Sequence, residues 1–111
     1  MNQRKCCDFY GVSVAEVKVD QLVVISKGVY KIDASVEGVR HQAPDHMSGW
    51  WLTTDEYDDN LESLITVHFS HIVEHRPELA QYMALPCGYR FNLGGESENV
   101  WFDQGVANES V

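Results

Sequence analysis

Apolar residues in this chain fall first into short β-type runs and then, after residue 68, into a helical period. Residues 22–25 (LVVI) form a continuous run, mostly β-branched and bounded by polar residues, as in a buried strand. Residues 36–42 predict a weaker strand, broken by Gly38 and closed by the turn chemistry of Pro44 and Asp45. Residues 49–54 (GWWLTT) predict a strand on which Trp50 and Trp51 point to opposite faces, one into the core and one outward. The acids and asparagine of DEYDDN, residues 55–60, predict a loop, and residues 64–67 (LITV) the next strand.

Phe69, Ile72 and Val73 then sit at i, i+3 and i+4, as do Leu79, Tyr82 and Met83. Pro77 suits the first turn of a second helix, and Pro86 ends it near Leu85. Helices of about two turns do not persist alone in water, so both must dock on the sheet. Residues 88–93 and 99–102 bracket GGESE, a glycine-led connection that predicts a hairpin with a longer loop. The polar tail after Gly105 is expected to fray. Before Leu22 the pattern stays divided. Ser13 with Glu16 fits a capping box, while Val12, Val14, Val17 and Val19 fit two pieces of strand. The expectation is a single α+β domain, a mainly antiparallel sheet with two or three short helices. Its organisation is an N-terminal extension over 1–21, the domain over 22–103 and a tail over 104–111.

Composition changes this picture little. With 111 residues, 44% of them hydrophobic, and three tryptophans, the chain can build one core. No run of about 18 apolar residues predicts a membrane span, and the basic N-terminus lacks the apolar segment of a secretory leader. Cys6, Cys7 and Cys87 are odd in number, and adjacent cysteines bridge poorly, so free thiols and a cytoplasmic location are expected. Thiol titration of denatured, unreduced protein is expected to find three reactive groups. A single group would mean a disulfide.

Charge changes it more. The net charge is −9, and its distribution is uneven. Through Pro44 acids and bases nearly cancel, whereas from Asp45 onward twelve acids face two bases, Arg76 and Arg90. Such a field attracts cationic partners and repels nucleic acid and anionic membranes. The turn carrying Asp55, Glu56, Asp58 and Asp59, with Glu62 after it, is the candidate docking surface for basic side chains. An outward Trp51 beside it is a candidate anchor. The same acids lack the spacing and turn glycine of a calcium loop.

Catalytic and metal chemistry find less support. On one helix His68, His71 and His75 would share a face fit for zinc or copper. The pattern instead assigns His68 to the preceding strand, and the remaining HxxxH pair lacks the glutamate of the zinc-protease motif. Cys87, in LPCGYR, would need a partner base to act as a nucleophile. The chain has no phosphate-binding or dinucleotide-binding glycine pattern. No metal, cofactor or enzymatic activity is therefore expected; a small domain using these histidines or Cys87 is the alternative, and a structural accessory domain the third.

Several ordered motifs resemble one family. They are a strand ending in Ser26-Lys27, a strand carrying Arg40 before a proline turn, Ser48-Gly49-Trp50 leading into Asp55-Glu56-Tyr57, and a proline-started helix leading to Leu85-Pro86-Cys87-Gly88. Over residues 22–103 the chain resembles the immunity protein 33 family of bacterial polymorphic-toxin systems. It departs from the family pattern at Trp51, where arginine is usual, and at Thr54, where a glycine often precedes the Asp-Glu pair. The resemblance implies a small cytoplasmic α+β protein that binds and blocks a cognate toxin, and it supplies no catalytic residue.

Overall fold

A computed structural model of the chain describes residues 11, 15–26, 28–31, 34–55, 64–94 and 97–107. Six strands form one sheet: β1 (Leu22–Ile25), β2 (Val36–Arg40), β3 (Met47–Thr53), β4 (Ile65–His68), β5 (Tyr89–Gly94) and β6 (Ser97–Phe102). Their order across the sheet is β4-β1-β3-β2-β5-β6. Four of the five pairings are antiparallel; β1 and β3 run parallel. The α+β class holds, with a mixed sheet. A parallel pair does not require a helical crossover here, because the chain leaves β1, skips one sheet position to lay down β2, and returns in β3 between them. Two hydroxyls fasten the parallel pair at its ends. Ser48 Oγ donates to the Leu22 carbonyl at 2.9 Å, and Ser26 Oγ accepts from the Thr54 N–H at 3.1 Å.

Strand alternation puts Val23, Ile25, Val36, Trp50, Leu52 and Phe91 on one buried face. Gly38 belongs to that face for a steric reason. A Cβ there would collide with the Phe91 ring, so the residue that weakens β2 locally makes room for the core. Against this face pack α1 (Phe69–His75) and α2 (Pro77–Ala80), which contribute Phe69, Ile72 and Leu79, all fully buried. The first two N–H groups of α1 are satisfied from outside the helix, Phe69 donating to the Gln21 carbonyl at 2.9 Å and Ser70 to that of Val19 at 3.2 Å.

The second helix stops at Ala80, short of the expected end near Leu85. Its continuation is a series of tight turns in which Tyr82, Met83 and Leu85 donate to Leu79, Ala80 and Tyr82. The carbonyls of residues 83–85 are used elsewhere. Trp50 Nε1 donates to Met83 at 2.7 Å, Ala15 N to Ala84 at 2.7 Å and Arg40 Nη1 to Leu85 at 2.9 Å.

Other boundaries also differ from expectation. Residues 15–18 are neither helix nor strand, yet Val17 is buried in the core cluster. Pairing of β5 with β6 continues to Gly94 against Ser97, so only residues 95–96 separate the strands. Glycine and serine are poor strand formers and hide this extension from a propensity reading. After β6 the chain does not fray at once but turns into α3 (Gln104–Ala107), which buries Val106. Asp103 caps it, its Oδ1 accepting from Gly105 N at 3.0 Å and Val106 N at 3.4 Å. Cys87 forms no disulfide among the described residues, and Cys6 and Cys7 lie outside them. Among the described residues no helix is long and apolar enough to cross a membrane.

Candidate partner-binding surface

Alternation along β3 separates the two tryptophans as expected. Trp50 is fully buried, its ring 5.2 Å from that of Phe91, while Trp51 is half-exposed on the opposite face. There Trp51 lies in register between Val24 of β1 and Val39 of β2, with the His41 ring edge-on at 5.6 Å. Asp55 is exposed just past the end of β3. It lines a shallow cleft of about 240 Å³ together with Ser35, Glu37, Thr53, Thr54 and Asn92. Two carboxylates, Asp55 and Glu37, thus border one cleft. Glu56, Asp58, Asp59 and Glu62 lie outside the described residues.

Arg40 and the two bases of the acidic part, Arg76 and Arg90, are all engaged within the fold. Arg40 is buried, with Nε donating to the Ser48 carbonyl at 2.9 Å and Nη1 facing the carbonyls of Ala15, Met83 and Leu85 at 2.7, 3.1 and 2.9 Å. Arg76, also buried, sits between α1 and α2 and donates to the carbonyls of Val29 and Lys31 in the link from β1 to β2. Its Nε pairs with Glu78 at 2.8 Å. Arg90 lies on the sheet face that carries Trp51, and it pairs with Glu37 at 2.7 Å and Asp103 at 3.0 Å. Burial pulls its pKa down, but the hydrogen bonds to Asp103 and Glu37 outweigh that, and the net shift is upward. The hydrogen bond from Arg90 is the main reason the Asp103 carboxyl titrates below the ordinary aspartate range. Whatever stability this pairing adds is present above the unfolded-state pKa and disappears as pH falls through the lowered one.

The histidines do not converge. His68 ends β4, and His71 and His75 are exposed on α1. The His68 and His71 rings stack at 6.1 Å between centroids, whereas His75 stacks on Tyr30 at 4.4 Å. Among the described residues no group of three His, Cys, Asp or Glu side chains could hold a metal ion. Cys87 is half-buried in the turn before β5.

Glu37, Arg90, Asp103 and Trp101 were not singled out from the sequence. Alternation in YRFNL does place Arg90 opposite Phe91. What the sequence hides is the strand order that brings β2 beside β5 and so lets Arg90 meet Glu37.

Most of the described residues that carry the family resemblance are internal, Asp55 being an exposed exception. Ser26, Arg40, Ser48 and Trp50 are all buried, and Gly88 N donates to the Arg40 carbonyl at 2.9 Å. Gly49 has a φ of +88°, and a Cβ there would strike the His41 carbonyl, so the Ser-Gly-Trp motif requires its glycine. These buried motif residues therefore report the fold. Searches of the curated proteins and of the solved structures find no match for this chain. The sequence model of the Imm33-like domain, however, matches residues 2–103, including the stretch before β1, and the chain belongs to that family.

Proposed function

We propose that this chain is a cytoplasmic immunity protein that binds a cognate basic toxin domain and blocks it by occlusion, performing no chemistry itself. Membership of the Imm33-like family is the observation that carries this reading. The charge distribution supports the sign of the partner. Arg76 is buried and Arg90 is engaged by two carboxylates, so the two bases among the acids after Asp45 offer little free positive charge, and the exposed Lys18 and Lys31 belong to the balanced first part of the chain. Contact is assigned to Asp55, Glu56, Asp58, Asp59 and Glu62, with Trp51 as the apolar anchor. A nuclease toxin fits, because an active site built for phosphates is cationic.

The test is binding and neutralisation of the toxin-like domain encoded in the neighbouring reading frame. Absence of both would overturn the assignment. Replacing Asp55, Glu56, Asp58 and Asp59 together by Asn or Gln is expected to slow association and flatten its salt dependence, with little change in melting temperature. Exposed charges act through the summed field, which salt screens over about 8 Å at physiological strength, and they affect the on-rate more than the off-rate. Stopped-flow kinetics over a salt series reads this directly. Unchanged association would remove the acidic turn from the interface.

A further inference from the structure

The two short helices α1 and α2 both pack on one face of the sheet. The other face carries a row of side chains in cross-strand register: Val24, Trp51, Val39, Arg90 and Trp101, from β1 through β3, β2 and β5 to β6. Trp51 and Val39 are half-exposed, and Trp101 is 39% exposed although it is a large aromatic. The Arg90 guanidinium lies 5.5 Å from the centroid of the Trp101 ring, and its two carboxylate partners, Glu37 and Asp103, flank it. A second register row, Thr53, Glu37, Asn92 and Asn99, is polar and leads towards Asp55. This is an aromatic and aliphatic strip with a polar, acid-bearing border, the composition of an interface core and rim.

Resting on the function proposed above, we propose that this sheet face is where the basic toxin docks. Its apolar surface would cover Val39 and the two tryptophans, and its lysine or arginine side chains would reach Glu37 and Asp103. Charge selects this occupant. Among the described residues Glu37, Asp103 and Asp55 outnumber Arg90 on this side, so a cationic protein is attracted. A second copy of the chain, carrying −9 itself, would set these carboxylates against their own kind. Arg90 already orders Glu37 and Asp103, which lowers the entropy lost when a partner's cation engages them. A carboxylate has about four acceptor positions, so a bond to Arg90 does not exhaust it.

The experiment measures affinity for the neighbouring toxin domain by biolayer interferometry, comparing wild type with Trp101→Ala, Asn92→Lys and Ser70→Lys. Asn92 is exposed on the proposed face, and Ser70 is exposed on α1, which packs on the opposite one, so the two lysines make the same charge change in different places. Trp101→Ala and Asn92→Lys are each expected to weaken binding by about tenfold or more, as anchor loss and a misplaced charge do, while Ser70→Lys stays close to wild type. Urea melts check folding. Should Trp101→Ala not fold, Asn92→Lys decides alone. Wild-type affinity in Asn92→Lys would overturn the docking face and leave the immunity function standing. No binding by the wild type would overturn both. A wild-type dimer in sedimentation that Asn92→Lys dissociates would assign the face to self-association instead.

Discussion

Trp50→Ala is expected to destabilise the domain by about 3–5 kcal/mol, the usual cost of emptying a large aromatic site in a core. Trp51→Ala should cost clearly less. The adjacent residues differ in everything but chemistry. Trp50 is fully buried against Phe91, its Nε1 donates to the Met83 carbonyl at 2.7 Å, and the Arg40 guanidinium lies 5.8 Å from its ring centroid. Truncation would open a cavity and also leave a buried carbonyl short of a donor. Trp51 loses only a half-exposed packing site between Val24 and Val39. Since domains of this size are stable by about 5–15 kcal/mol, Trp50→Ala would bring the chain near its unfolding threshold. Urea melts of both variants decide the matter. Equal losses, or a larger loss at Trp51, would mean that the two faces of β3 are misassigned.

Elements whose reason is local were readable from the sequence. The LVVI run, the alternation in GWWLTT and the change of period at Phe69 each specify their own structure, and each was found, with β3 beginning two residues early at Met47 and ending at Thr53. Elements whose reason is distant were not. The second helix stops at Ala80 and gives way to tight turns whose carbonyls, at residues 83–85, accept from Arg40, Trp50 and Ala15, far away in sequence. Segment 15–18 has no regular structure, Ala15 being held by the distant Ala84 and Arg40 and Lys18 by a local turn with Gln21. The parallel β1–β3 pair depends on the order in which strands are laid down, which no single strand encodes. Alpha-helix α3 was readable in principle, since Asp103 is a standard capping residue, but the polarity of the tail concealed it.

For the candidate surface the division runs the other way. The acidic turn was conspicuous because its charges lie close together in sequence, while the Glu37–Arg90–Asp103 group was invisible because its members come from three separate segments. The buried residues of the family motifs add nothing to partner identity, being occupied with holding the core together. What distinguishes one toxin from another must be sought among exposed residues such as Trp101, Asn92 and Asp55.

That distinction between internal motif and docking residue gives Arg40 its test. Arg40→Ala is expected to cost on the order of 3–5 kcal/mol, because an orphaned buried carbonyl costs about 1–3 kcal/mol and this side chain serves several. The carbonyls belong to Ala15, Ser48, Met83 and Leu85, so a single guanidinium joins the segment before β1, the start of β3 and the turn after α2. Water entering the vacated space would recover part of the loss. Arg40→Lys keeps the charge and three donors, but an ammonium lacks the planar fork that reaches acceptors on separate segments, so it should recover only part of the stability. Hydrogen exchange locates the damage: the Ala15 N–H, bonded to the Ala84 carbonyl, and the Gly88 N–H, bonded to the Arg40 carbonyl, should lose protection first. In Arg40→Lys, measured well below its melting temperature, the dissociation rate from the toxin should match wild type, since the side chain is buried away from any partner. Normal stability in Arg40→Ala would show that the clamp contributes little to the fold. A faster dissociation rate in a fully folded Arg40→Lys would place this family motif at the interface after all.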